Sequence, residues 1–336
     1  MRNVIYLSAI LILGVGGYAQ KTSGYHLVDT IQVGGEGGWD ALTADAANHR
    51  LYVSHGTHVV VINTETDKVV GDIPKTNGVH GIALTKKSGF ITNGRDNTVT
   101  MFDLKTLKVA GVIPTDKNPD IIIYDPSSNR VFSFNGGSNN ATVIDPDAGK
   151  VVGTIALGGK PEFAVSDGKG KIFVNLEDKS EIVGFDAKKL TILSHFPLAP
   201  GEGPTGLAID TKTHRLFAAC DKKMIVVDAK TGKVVGEVTT GDGTDGAEFD
   251  PGTKMAFAPN GEGTLTVIRE DAADKFSIAE NVTTQVRART MALDTKTHKV
   301  YLPTAKFGTA PAPTKEQPRP RAPMVPDSFV ILVYGR

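Results

Sequence analysis

The sequence repeats one unit seven times, at intervals of about forty residues. The register is marked by the turn that follows the first apolar run of each copy. Its seven positions are Asp45, Thr85, Asp125, Ser166, Asp210, Asp250 and Asp294. Successive positions lie 40 to 44 residues apart. A fixed period of this length indicates an array of one supersecondary unit, in which each copy buries its apolar surface against its neighbours.

Each copy contains four short runs rich in Val, Ile, Leu, Phe and Tyr, separated by turns of Asp, Asn, Gly, Lys and Thr. These runs are too short for helices, and their β-branched content is typical of strands. The first run of a copy is almost continuously apolar, as expected for a strand covered on both faces. When seven four-stranded antiparallel sheets are arranged radially, only short sheet edges remain free to pair with other chains. The sequence therefore predicts an all-β fold, a seven-bladed β-propeller of four-stranded antiparallel blades.

The ends of the chain predict how the ring closes. The last copy has strand-like runs near residues 290–293, 299–302 and 329–334, and then the chain ends without an outer run. Residues 25–33 instead match the outer runs of other copies, such as residues 149–155. We therefore expect this N-terminal strand to complete the last blade.

The repeat resembles the YVTN-type propeller family over nearly all of residues 25–335. The resemblance is carried by runs such as Leu51-Tyr52-Val53-Ser54, Phe90-Ile91-Thr92-Asn93 and Ile172-Phe173-Val174-Asn175. It implies the propeller fold and an exported bacterial protein. It does not imply one activity, because related propellers include surface-layer proteins, lactonase-like enzymes and the β-chain of quinoprotein amine dehydrogenases.

The first nineteen residues have the pattern of a secretory signal peptide. A basic start at Arg2 precedes an apolar run over residues 4–15, and small residues lead to a cleavage point after Ala19. The alternative is an uncleaved anchor, but the run is shorter than the roughly 20 residues that span a bilayer. We expect a periplasmic or extracellular protein with no transmembrane segment after cleavage. Residues 20–336 then form a single propeller domain, with residues 303–327 as a Pro-rich loop insertion in blade seven.

Loops that lead into the inner strands, and loops between strands two and three, open on the same face of a propeller. One position per copy, just before the inner strand, faces the mouth of the central channel. Asp40, His80 and Asp120 are candidate ligands for a divalent cation, although polar residues also line a channel simply because it contains water. No other cofactor is predicted. The seven ring positions are Asp40, His80, Asp120, Pro161, Thr205, Asp245 and Arg289, and Trp39 and Glu162 lie beside them. The candidate ligand-binding residues of this face are Trp39, Asp40, His80, Asp120, Glu162, Asp245 and Arg289.

Other polar and aromatic residues have two interpretations each. Trp39, the only tryptophan, either stacks on a ligand or fills the core between blades one and seven. His55 and His58 are either a metal pair or turn residues. The insertion at 303–327 is either a flap or partner-binding arm, or a tolerated surface loop, and its composition favours an extended, poorly ordered segment. Cys220, the only cysteine, is interpreted as structural.

The leading functional prediction is an exported binding or scaffold protein that uses the channel face for a small ligand or a protein partner. In this interpretation the chain is a non-enzymatic monomer with no catalytic residue. A net charge of zero argues against nucleic acid. The alternative is a lactonase-like or metal-dependent hydrolase using Asp40, His80, Asp120 and Asp245. That alternative requires at least three of these side chains to approach within about 4 Å of a common point.

Overall fold

A computed structural model describes residues 23–314, 318 and 320–336 of the chain. The signal peptide expected at residues 1–19 lies outside the described residues. Within these described ranges, no helix is long and apolar enough to cross a membrane.

The described residues form seven four-stranded antiparallel sheets, which confirms the predicted seven-bladed β-propeller. Strands are numbered β1 to β28 in chain order. The inner strands are β2 (Leu42–Asp45), β6 (Val79–Leu84), β10 (Pro119–Asp125), β14 (Pro161–Ser166), β18 (Leu207–Asp210), β22 (Glu248–Asp250) and β26 (Ala292–Asp294). The second strands are β3 (Arg50–His55), β7 (Ser88–Asn93), β11 (Arg130–Asn135), β15 (Lys171–Leu176), β19 (Arg215–Cys220), β23 (Met255–Asn260) and β27 (Lys299–Thr304).

The outer half of each blade is built in the same way. The third strands are β4 (His58–Asn63), β8 (Thr98–Asp103), β12 (Asn140–Asp145), β16 (Glu181–Asp186), β20 (Lys223–Asp228), β24 (Thr264–Ala272) and β28 (Val330–Gly335). The outer strands are β5 (Lys68–Pro74), β9 (Val109–Pro114), β13 (Lys150–Ala156), β17 (Thr191–Pro197), β21 (Val234–Thr239), β25 (Lys275–Thr283) and β1 (His26–Gln32). A single 3₁₀ turn, Glu177–Lys179, joins β15 to β16 among the described residues.

Burial explains the repeated sequence pattern. The second and third strands of a blade are buried almost throughout, whereas an outer strand such as β5 buries one side chain, Ile73, and exposes Val69 and Val70. The core therefore lies between neighbouring blades. One cluster, for example, packs Tyr52 and Val61 of blade one against Ile82 of blade two.

Ring closure follows the prediction from the sequence. The last blade has the strand order β1-β28-β27-β26, so the N-terminal strand is its outer strand. Ile31 of β1 pairs with Ile331 of β28 and is buried in a core cluster that joins blades seven and one. The first and last blades thus meet through the same kind of apolar contact as the other neighbours.

The insertion of blade seven differs in part from the expectation. Pro303 belongs to β27, so the irregular segment begins after Thr304. Its two described ends pair with each other, since the Gly308 N–H donates to the Pro323 carbonyl and the Val325 N–H donates to the Lys306 carbonyl. The base of the insertion is therefore folded onto the ring, because apolar side chains within it reach the core between blades seven and one.

Candidate functional site at the channel mouth

In three inner strands the second residue faces the channel mouth. In β6, β10 and β14 the pairing with the next strand is irregular directly after the first residue of the strand. A bulge of this kind re-aims side chains. The residues concerned are His80, Asp120 and Glu162, each the second residue of its strand. The structural equivalent of Asp120 in blade four is therefore Glu162, and not Pro161, the ring position expected from the repeat.

Asp40 reaches the same place from the loop before β2. Its backbone is held on both sides, because the Asp40 N–H donates to Ser54 Oγ at 2.7 Å and Thr290 Oγ1 donates to the Asp40 carbonyl at 2.8 Å. The Asp120 carbonyl is held in turn by Thr92 Oγ1 at 2.5 Å. The backbones of these two acidic residues are thus held by hydrogen bonds with the side chains of Ser54, Thr290 and Thr92.

His80 lies between the two carboxylates. Its Nδ1 is 2.6 Å from Asp40 Oδ2 and 3.5 Å from Asp120 Oδ1. One potential ligand atom from each of the three residues lies within 4.8 Å of the other two. Ligand atoms bound at about 2.0–2.6 Å from one ion are separated by such distances. Asp40, His80 and Asp120 are therefore a candidate set of ligands for one cation.

The charge state of this cluster depends on its neighbours. Burial lowers the pKa of His80, but the hydrogen bond to Asp40 and the charges of Asp120, Asp40 and Glu162 outweigh it and raise the pKa to about 9. Burial and the charge of Asp40 raise the pKa of Asp120. At neutral pH a proton on His80 therefore occupies the place between the carboxylates that a cation would take.

Blade four adds a second group of charges beside the cluster. Lys160 Nζ is 2.8 Å from Glu162 Oε1 and also forms an ion pair with Glu177. Burial, followed by the charge of Asp120, raises the pKa of Glu162 to about 7 despite the nearby ammonium group. Glu162 is therefore balanced between its acid and base forms near neutral pH, which is a property of general acid–base groups.

The remaining ring positions do not join the three-residue cluster. Asp245 Oδ2 lies 3.2 Å from Arg289 Nε in an ion pair, and burial raises the pKa of Asp245 to about 7 even though the charge of Arg289 lowers it. Thr205 Oγ1 donates to the Thr244 carbonyl at 3.1 Å. Pro161 begins β14 without a polar group for the channel. Asp245 thus pairs with Arg289 and does not belong to the cluster of Asp40, His80 and Asp120.

The other candidates make contacts of their own outside this cluster. Trp39 is half-buried and stacks on Phe329, at 5.1 Å between ring centroids, so it covers the core between blades one and seven. His55 is buried and stacks on the same ring, whereas the Nε2 atom of His58 lies 3.6 Å from Asp72 Oδ2. Cys220 is buried, and burial raises the pKa of its thiol to about 12.

Sequence reasoning missed two residues of this face. Lys160 directly precedes the ring position Pro161. It was not predicted to belong to the site because a lysine before a proline resembles an ordinary turn residue. Arg287 was overlooked because it precedes the expected ring position by two residues. The repeated basic residue in Arg287-Ala288-Arg289 was the available signal, since other copies have no such pair there.

No family model matches the sequence, and no curated protein matches it either. Solved structures do match at the level of the fold. A chain of hydrazine synthase from Kuenenia stuttgartiensis is similar with a TM-score of 0.72 and 15% identity, covering 86% of this chain and 95% of that one. The U3-55K structure matches with a TM-score of 0.74 and 7% identity, covering 93% and 99%.

A chain of the mitotic checkpoint complex is also similar, with a TM-score of 0.71, 10% identity, and coverage of 100% of this chain and 99% of that chain. These three structures share no more than 15% sequence identity with this chain, so the similarity shows a common fold only. The protein is a seven-bladed β-propeller, a fold consistent with a binding or scaffold role. Its own function has to be argued from its site.

Proposed function

We propose that this protein is an exported, YVTN-type binding propeller that holds a divalent cation at the channel mouth and uses it to bind a small ligand. The observation that supports the cation site is the approach of Asp40, His80 and Asp120 to within 4.8 Å of one another. Two carboxylate oxygens and one imidazole nitrogen suit Zn²⁺ or Mn²⁺. Three protein ligands leave further coordination positions open for a ligand at the mouth.

A cation at this site has to displace the proton of His80, because the pKa of His80 is raised to about 9. Metal binding to a protonated ligand set releases protons and becomes stronger as the pH rises. We therefore expect one cation per chain, release of about one proton at pH 7.5, and affinity that increases between pH 6.5 and 8.5.

The test is calorimetric titration of chelator-treated protein with Zn²⁺, Mn²⁺, Ca²⁺ and Mg²⁺ in two buffers of different ionisation enthalpy. We expect Asp40→Asn, His80→Gln and Asp120→Asn each to weaken binding at least tenfold. His195→Gln is the matched control, since His195 also pairs with a carboxylate (Nδ1 to Glu181 Oε1, 3.0 Å) but lies on the outer strand of blade four. Absence of binding by all four cations, or binding that these three substitutions leave unchanged, would contradict the proposal.

A metal-dependent hydrolase is the second candidate, and one observation favours it. Glu162 lies beside the cluster with its pKa raised to about 7 by burial and by the charge of Asp120, so it is suited to accept a proton from water. Hydrolysis of a lactone panel by the cation-loaded protein, lost in Glu162→Gln, would support this activity. Cation binding without turnover of any lactone would contradict the hydrolase activity and would support the binding function only.

Export is supported by the sequence of residues 1–19 and by the YVTN-type resemblance. The expected mature chain begins at Gln20. Mass spectrometry of the protein expressed with its full N-terminus in a bacterial host tests this, because retention of residues 1–19 would contradict cleavage.

A further inference from the structure

A second pocket opens on the loop-rich face, beside the channel mouth. It is an open pocket lined by the loop before β2, by Gly243 and Gly261 of blade six, by the loop before β26 and by the folded base of the blade-seven insertion. Its volume is about 600 Å³, which is within the range of about 300–1,000 Å³ of small-molecule sites. The side chains that matter for its chemistry are Trp39, Arg287, Arg289, Phe307, Arg321 and Met324.

The pocket is basic, in contrast to the acidic channel mouth. Arg289 forms an ion pair with Asp245. For Arg287 and Arg321, no carboxylate of the described residues lies within ion-pair distance. Two guanidinium groups of this pocket are thus free of ion pairs with the described carboxylates, and the planar guanidinium group matches carboxylate and phosphate oxygens.

Arg287 is held in place by an aromatic ring. Its Cζ lies 3.7 Å from the centroid of the Phe307 ring, in a cation–π arrangement. Met324 pairs with Phe307 across the base of the insertion, and both pack against the core between blades seven and one. The position of this guanidinium is therefore determined by packing before any ligand binds.

Trp39 forms an aromatic wall of the same pocket. Its stacking on Phe329 (interplanar angle 23°) fixes the indole, and Phe307 lies 6.1 Å away at a tilt of 48°. Aromatic rings in this arrangement accept a planar apolar group by stacking or edge contact. The pocket thus combines a fixed aromatic wall with two guanidinium groups that no described carboxylate pairs.

We propose that this pocket binds a small organic anion, whose carboxylate or phosphate group contacts Arg287 and Arg321 and whose planar apolar part packs against Trp39 and Phe307. This site is separate from the cation site of Asp40, His80 and Asp120. It does not require a metal, so its test is made on chelator-treated protein and can succeed or fail independently of the proposed cation function.

The chain contains one tryptophan, so its fluorescence reports on this pocket directly. The probes are benzoate and phenyl phosphate, with benzyl alcohol as the neutral ring and inorganic phosphate as the anion without a ring. We expect a saturable change in Trp39 emission with the first two probes. Benzyl alcohol and inorganic phosphate should bind at least tenfold more weakly, and the tighter of benzoate and phenyl phosphate identifies the preferred anion.

Arg287→Gln and Arg321→Gln should each weaken binding of the ring anions at least tenfold, since each removes a charged hydrogen-bond donor. Lys296→Gln removes the same charge from an exposed turn on the opposite face and should leave binding unchanged. Circular dichroism and the melting temperature verify folding of each variant, and Arg321, which is exposed, is the variant least expected to disturb it. No saturable change with either ring anion, equal binding of benzyl alcohol, or unchanged affinity in both arginine variants would overturn the proposal.

Discussion

Trp39 stacks on Phe329, and this contact joins the loop that leads into blade one to the residue preceding the last strand of blade seven. His55 stacks on Phe329 as well, at 4.5 Å between ring centroids. The two termini of the ring are therefore joined by strand pairing at the rim and by aromatic packing near the loop-rich face. The aromatic packing also shapes the basic pocket, so ring closure and the proposed anion site share residues.

Because β1 closes the ring, we expect Ile31→Ala to lower the free energy of unfolding strongly. Ile31 is buried between β1 and the core of blades seven and one, and truncation of a buried isoleucine costs about 2–5 kcal/mol of unfolding free energy. Leu27→Ala, at an exposed position of the same strand, should change stability by no more than about 0.5 kcal/mol. Urea denaturation measures both variants, and equal effects would contradict the closure role of β1.

Because His55 is buried, we expect the folded protein to lose stability at acid pH. Neither ring nitrogen has a hydrogen-bond partner among the described residues, and burial, followed by the charge of His58, lowers the pKa of His55 to about 4. Below pH 6.5 the unfolded chain therefore takes up a proton that the folded chain rejects, and the wild-type protein loses stability.

His55→Phe keeps an aromatic ring against Phe329 and removes this titration. The stability of the variant relative to wild type should increase by up to about 3 kcal/mol as the pH falls from 7.5 to 4. Urea denaturation at four pH values measures the difference, and a difference that does not vary with pH would disprove the assignment.

We expect Glu162 to give stability a pH dependence opposite to that from His55. Its pKa in the folded protein is raised to about 7, so the folded chain holds a proton that the unfolded chain has released above about pH 4.5. Wild-type stability therefore falls, through this group, as the pH rises through 7. Asp120 and Glu177 repel the charged form of Glu162, whereas Lys160 attracts it.

Glu162→Gln should consequently gain stability relative to wild type between pH 5 and 8, by up to about 3 kcal/mol, in chelator-treated protein. Glu65→Gln removes the same charge from an exposed turn between β4 and β5 and is the control. A constant difference between wild type and Glu162→Gln across this range would show that the raised pKa does not contribute to stability.

The contact between blades five and six predicts that Gly206 tolerates no side chain. A Cβ at Gly206 would lie 2.2 Å from the carbonyl carbon of Gly246 and 2.5 Å from the Ala247 nitrogen. These are backbone atoms that cannot rotate away, so Gly206→Ala should destabilise the protein by about 1–3 kcal/mol or more. Gly111→Ala is the matched control, since its Cβ would meet no atom within 4 Å. Thermal unfolding of both variants gives the comparison.

Much of the fold could be predicted from the sequence because each blade is specified locally. The alternation of strand-forming runs with Asp- and Gly-rich turns recurs in every copy, and the outer strand missing from the last copy is present at residues 25–33. The candidate site was harder to predict from the sequence. Asp40, His80 and Asp120 were recognised as one position of the repeat, but Glu162 was aligned one residue away from its structural equivalent. Bulges in β10 and β14 determine that register, and a bulge leaves little trace in a sequence.

The sequence by itself determined the number of blades, the strands of each blade and the pairing that closes the ring, because these follow from short-range hydrophobic patterning and from its period. Only the tertiary structure decided which side chains meet. His80 touches Asp40 and Asp120 across two blade boundaries, and Arg287 meets Phe307 across a folded insertion. Such contacts depend on how neighbouring blades are positioned around the channel and on where an irregular loop packs, and neither is encoded in the periodicity of one repeat.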